Sequence, residues 1–127
     1  MRAPKLAVAL LALSAAACAP TTMYHWRGYD AALYAHYRNP TDRGPWLEAL
    51  QTAILEAEAK GLQVPPGLYA EYGYALLEDG KAQEAVGYFK KEKEKWPESA
   101  VLMEKMIRNA GQRATIGTQA ATGEARP

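Results

Sequence analysis

From Tyr29 to Ala110 the apolar residues return every three or four positions and nowhere alternate with a period of two, which commits the chain to helices. Pro45 to Lys60 keeps the period best, with Leu47, Leu50, Ile54 and Ala57 at spacings of three, four and three. Pro45 suits a first helical turn, where its missing N–H is no loss, and Gly61 supplies a stop. Tyr29 to Arg38 is a shorter helix with Leu33 and Tyr37 on one face, ended at Asn39-Pro40 because the residue before proline avoids the α region. After the stiff Val64-Pro65-Pro66-Gly67 connection, Leu68 to Leu77 carries Tyr69, Tyr72 and Leu76 on one stripe, closed by Asp79-Gly80. Lys81 to Lys95 repeats the period with Ala85, Val86 and Phe89, and Trp96-Pro97 closes it. Ser99 is placed to cap a last helix, Ala100 to Ala110, with Leu102, Met106 and Ile107 inward. The expectation is an all-α domain of four to five helices over residues 24–110. The small, polar stretch 111–127 reads as a disordered tail.

The N-terminal segment follows a different logic. Arg2 and Lys5 precede Leu6 to Ala17, twelve uncharged residues rich in Ala and Leu, and Cys18, the single cysteine, comes next. Twelve residues are too few to span a bilayer, which takes about 20, so residues 1–17 read as a removable export signal. Cys18 after Ala15-Ala16-Ala17 resembles the lipobox of bacterial lipoproteins, in which the thiol receives a diacylglyceryl group and becomes the new N-terminus. Ala15 departs from that pattern, which usually has Leu there. The same three alanines also suit ordinary cleavage, which would leave a soluble exported protein with one unpaired thiol. Lipidation explains why the only cysteine lies at this point, and several acyl chains hold a protein firmly where one binds marginally. Ala19 is not the Asp of an inner-membrane retention signal, so the expected address is the outer membrane, on its periplasmic face. Residues 18–23 then form a lipidated tether.

Composition excludes some partners. Fifteen Lys and Arg face fourteen Asp and Glu, and loss of Arg2 and Lys5 keeps the chain near neutral, with no electrostatic footprint for nucleic acid. With Cys18 acylated no disulfide is available, and apolar packing must hold the domain together. Eight Tyr and three Trp stand against one Phe, a choice that suits half-exposed surfaces and interfaces.

Tyr69 to Pro97 resembles one tetratricopeptide repeat, a helical hairpin of about 34 residues. The early aromatic position falls on Tyr69, the leucine position on Tyr72, the small-residue position on Gly73 and the next large position on Leu76. Gly80 is the turn glycine, followed by Ala85, Phe89 and the terminating Pro97. Glu92 stands where alanine is usual, which leaves the second helix less covered at its end. Isolated repeats lack neighbours to bury their faces, so helices 45–60 and 100–110 must supply them.

A wider likeness spans Cys18 to about Ala110. Tyr24-His25-Trp26-Arg27-Gly28-Tyr29-Asp30, Tyr34, Val64 to Gly73, Lys91-Glu92-Lys93 and Trp96-Pro97-Glu98-Ser99 resemble a family of small, uncharacterised proteobacterial lipoproteins. Their genes usually lie beside one for a curli-secretion-channel-like lipoprotein and one for a second small lipoprotein. The resemblance implies a partner, another envelope lipoprotein or a secretion-channel-like protein, rather than a chemistry.

No residue pattern points to catalysis, to a cofactor or to a small-molecule substrate. Gly-x-Ser-x-Gly, His-Glu-x-x-His and a phosphate loop are absent from the sequence. His25 and His36 lie eleven residues apart on different elements and read as surface or interface histidines, not metal ligands. Glu71, beside Tyr72 and Tyr74, reads as a polar contact within the hairpin, and Lys90 to Lys95 as a solvated helix face paired along itself. Tyr24, Trp26, Tyr29, Tyr34 and Tyr37 form the densest aromatic cluster. They are expected either in the core or, for Tyr24, Trp26, Tyr29 and Tyr34, on a partner-binding surface. The function expected is a non-catalytic adaptor for an envelope partner. The alternatives are a structural lipoprotein associating with cell wall or itself, and a small enzyme, which the missing motifs disfavour. Cys18→Ser should abolish acyl labelling and move the protein out of the outer-membrane fraction. Retention there without lipid, in high salt, would remove the tether from the account.

Overall fold

A computed structural model describes residues 23–122; residues 1–22, with the export segment and Cys18, and residues 123–127 lie outside the described residues. The fold is all-α: among the described residues there are five α-helices and no strand. They are α1 Tyr29–Arg38, α2 Gly44–Ala59, α3 Leu68–Glu78, α4 Ala82–Lys95 and α5 Ala100–Thr122, with a 3₁₀ turn at Pro97–Ser99 before the last. Each helix packs on the next, α3 with α4 and α4 with α5 most extensively. Among the described residues no helix is long and apolar enough to cross a membrane.

The α3–α4 hairpin turns at Gly80, whose φ of 77° is a left-handed conformation that costs glycine little. Gly73 faces Phe89, and Gly67, earlier in the chain, faces Glu92, so the two helices run antiparallel. A Cβ added at Gly73 would lie 2.9 Å from Phe89 Cε1 and 3.2 Å from Tyr88 Cβ, so the crossing is too close for any side chain. Ala85 and Phe89 are fully buried beside it. Tyr69 and Leu76 lie in the core and Pro97 opens the 3₁₀ turn that ends the hairpin.

Two apolar cores result. One joins α1, α2 and the front of α3 through Tyr29, Trp46, Leu50, Ile54, Leu68 and Tyr69. The other joins the back of α3 to α4 and α5 through Leu76, Leu77, Ala85, Phe89, Met103 and Ala110. Tyr72 and Tyr88 pack against both cores and meet edge to face at 4.7 Å between ring centroids. Burial of a side chain such as Leu50, Ile54 or Phe89 stabilises by about 1.5–3 kcal/mol.

Several expectations are corrected. The last helix does not stop at Ala110 but continues to Thr122, into the stretch expected to be disordered. Ala110 is fully buried and Ala114 packs on the second core, which offsets the roughly 1 kcal/mol that Gly111 and Gly117 each cost a helix interior. Thr115 and Thr118 donate their hydroxyls to the carbonyls of Gly111 and Ala114. Within α5, Leu102 points outward, 58 % exposed, and Met103 fills the inward position. Tyr37 does not share the inward face of Leu33 but is 77 % exposed.

The largest correction concerns Glu92, which neither pairs with Lys95 nor leaves α4 uncovered. It is 2 % exposed, and its Oε1 accepts the backbone N–H of Gly67 at 2.8 Å. The amides of Ala70 and Tyr69 also favour its charge, while burial outweighs them and pushes its carboxyl above the ordinary range. Gly67 is the N-cap of α3, so a carboxylate from α4 satisfies the donors that every helix start leaves open. The lysine run pairs mainly across helices, with only Lys95 near Glu94, at 3.9 Å, along its own. Lys91 meets Glu58 of α2 and Lys93 meets Glu104 of α5, each at 2.8 Å. Tyr69 donates to the same Glu58 at 2.8 Å; burial pushes that carboxyl up, but these donors and the Lys91 charge hold it below its ordinary value.

Ala85→Leu should overpack the crossing and cost about 1–3 kcal/mol in chemical denaturation, whereas Glu94→Ala, on the solvated face, should stay within about 0.5 kcal/mol. Equal shifts would overturn the assignment of faces. Glu92→Ala should cost about 2–4 kcal/mol, because buried amides lose their acceptor, and Glu92→Gln clearly less. Since folding raises the Glu92 pKa, its contribution is fully present below the unfolded value of about 4.3 and is lost as pH rises through the folded one. Wild type should therefore lose ground to Glu92→Gln as pH rises above about 4, measured by denaturation at each pH.

Candidate functional site

On α1, Leu33, His36 and Tyr37 line one edge of a cleft; on α3, Glu71, Tyr74 and Glu78, at spacings of three and four, line the other. Pro40, Arg43 and Trp46, from the turn into α2 and its first turn, close the floor. The cleft measures about 590 Å³, within the range of about 300–1,000 Å³ usual for ligand sites.

The floor is built around one carboxylate. Trp46, buried by the helical period of α2, donates its indole Nε1–H to Glu71 Oε1 at 3.1 Å, and the Tyr29 hydroxyl donates to Oε2. Burial, and then this bond to a carboxylate, push the Tyr29 phenol well above its ordinary value. His36 stacks on Trp46 with ring centroids 4.6 Å apart and planes 9° from parallel. Its Nδ1 is buried without a protein hydrogen-bond partner. Arg43 lies with its guanidinium carbon 6.0 Å from the Trp46 ring centre and bonds Glu78 and Asp79 at 3.1 Å each. Tyr37 and Tyr74 stand at the rim, 77 % and 50 % exposed. The surface thus offers aromatic faces above a carboxylate whose two partners are neutral. Among the described residues no group of three or more His, Cys, Asp or Glu is placed to hold a metal ion.

The aromatic cluster of the sequence divides in two. Tyr29 is buried in the first core and is no surface anchor. Trp26 is half-buried and stacks on Tyr29 at 5.9 Å, and Tyr24 sits edge-on between Trp26 at 6.2 Å and Trp96 at 6.0 Å. Both belong to a strap over residues 23–28 laid along the bundle. Glu56 of α2 fastens the strap, meeting His25 at 3.1 Å and Arg27 at 3.0 Å, with Lys60 at 3.3 Å. The bond to His25, then those neighbouring cations, hold Glu56 below the ordinary carboxylate range. Tyr34 remains outside, 64 % exposed, with Arg38 over its ring. His36 and Glu71, expected at a surface and within the hairpin, both line the cleft, together with Tyr74 and with Arg43, Trp46 and Glu78, to which the sequence assigns no role. The three-four spacing of Glu71, Tyr74 and Glu78, a polar-aromatic stripe on an otherwise apolar helix, was the signal available.

The strap, the cleft and the hairpin all fall within residues 23–106, the span matched by the model of a domain of unknown function, DUF4810. The chain belongs to this family. No curated protein and no solved structure matches it.

Glu71→Ala would leave the Tyr29 hydroxyl and Trp46 indole without an acceptor and should cost about 2–4 kcal/mol. Tyr29→Phe, which removes a donor and its bond together, should cost about 0.5–1.5 kcal/mol. Thermal unfolding of the pair would test the floor: equal losses would mean that Glu71 does not join the helices.

Proposed function

We propose that this protein is a lipid-anchored envelope lipoprotein that acts as a non-catalytic adaptor, holding a protein partner in the α1–α3 cleft. The anchor is the acylated Cys18 and the address is the periplasmic face of the outer membrane. The partner is an envelope protein, in keeping with the resemblance to lipoproteins encoded beside secretion-channel-like ones. One observation carries the reading: Tyr37 and Tyr74, contributed by different helices, stand exposed on either rim of a cleft floored by Trp46. Large, stiff side chains with a polar tip lose little entropy on contact and bury much area, and such anchors dominate binding energies. Tyr34, exposed on the same helix, extends the surface. Trp26 and Tyr24, packed in the strap, serve the fold instead.

Tyr37→Ala and Tyr74→Ala should each lose a defined partner in pulldowns from membranes while keeping the helical far-UV signal and melting temperature. Truncated anchors typically cost at least about 2 kcal/mol, or nearly thirtyfold in affinity. Trp26→Ala should instead lower the melting temperature. Tyrosine variants that stay folded and keep the partner would remove the cleft from the account. Sedimentation of the protein with peptidoglycan, and no partner, would replace the adaptor with a wall-binding protein.

A further inference from the structure

The cleft has a charge imbalance that its own residues do not cancel. Glu71 accepts from Tyr29 and Trp46, both neutral, so its negative charge faces no cation. Glu78, the other carboxylate of the lining, shares the Arg43 guanidinium with Asp79, which lies outside the cleft. The lining thus carries two carboxylates against one arginine, and that arginine is divided with a third carboxylate. His36 adds a buried, unpartnered Nδ1 to the wall. Tyr37 and Tyr74, exposed at the rim, add aromatic rings whose quadrupoles attract positive charge.

Arg43 shows what such a lining holds. Its guanidinium lies over Trp46 and forks toward two carboxylates, which is the geometry a cation receives from an aromatic wall with acidic ends. The chain's own arginine is committed to Glu78 and Asp79, while Glu71 is bonded by Tyr29 and Trp46.

Resting on the reading of the cleft as the partner surface, we propose that the partner enters it with a basic side chain, an arginine or lysine of an exposed polypeptide segment. The side chain lies between Tyr37 and Tyr74 with its charge toward Glu71 and Glu78. Binding therefore weakens as salt screens the carboxylates, and Arg43 competes with the incoming cation for Glu78 and Trp46.

The full chain, ¹⁵N-labelled, would be titrated with a capped glycine-serine pentapeptide bearing a central arginine, and with the same peptide bearing the neutral isostere citrulline. The arginine peptide should shift the Trp46 indole and the Glu71 and Tyr74 amide signals saturably. It should bind at least about tenfold more tightly than the citrulline peptide, and lose that margin between about 50 mM and about 500 mM salt. Glu78→Gln should weaken the arginine peptide several-fold, and Arg43→Gln should tighten it, a gain that no merely structural role of Arg43 would give. Equal affinity for the two peptides, weaker binding by Arg43→Gln, or unmoved cleft signals would overturn the proposal. So would concentration-dependent dimerisation through the same signals, which would make a second copy the occupant. If the tyrosine variants lose the partner in pulldowns while both peptides bind equally, the basic side chain falls and the cleft stands. If those variants keep the partner, the cleft itself falls.

Discussion

Two neutral donors meet on one carboxylate at the centre of this molecule, the Tyr29 hydroxyl of α1 and the Trp46 indole of α2 on Glu71 of α3. Each of the three consecutive helices supplies an atom to the same junction. In a half-buried setting such bonds are stronger than in water, and an unpaired member costs more. The junction ties α1 and α2 to α3 at the cleft that Glu71 and Trp46 line. Because its donors carry no charge, the carboxylate is held in place without being neutralised. The constraint that builds the floor thereby also sets its polarity.

The second half of the molecule hangs on a different constraint, the absence of a side chain at Gly73. Phe89 occupies the space a Cβ would need, so α3 and α4 approach more closely than any other residue would permit. Tyr72 and Tyr88, at the edge of this crossing, pack against both cores. α3 is the common wall of the cleft and the hairpin.

Helix positions were legible because they depend on periods of three and four and on Pro and Gly punctuation, all local properties. α1 and α4 begin and end within a residue of where the pattern places them. The end of α5 was not legible, since Gly111 and Gly117 speak against a helix and the burial of Ala110 and Ala114 that overrides them is tertiary. Glu92 was misread for the same reason: a glutamate within a lysine run pairs with its neighbours by default, and only the fold brings Gly67 within reach. Aromatic density marked Tyr24 to Tyr37 as notable but could not say which side of α1 each ring takes. Tyr37 and Tyr74 face one cleft from different helices, far apart along the chain. A sequence read one segment at a time does not bring them together.

The position of Glu92 has a consequence for how the chain acquires its shape over time. Most helices carry their own start signal in the residue just before them. Here the cap of α3 lies 25 residues downstream, on the second arm of the hairpin. A polypeptide delivered N-terminus first therefore presents α1, α2 and the body of α3 while the amides at Gly67, Tyr69 and Ala70 still face water. Only when α4 folds back do those amides gain their carboxylate acceptor, so the start of α3 is completed by the second arm of its own hairpin and not by the residues that precede it.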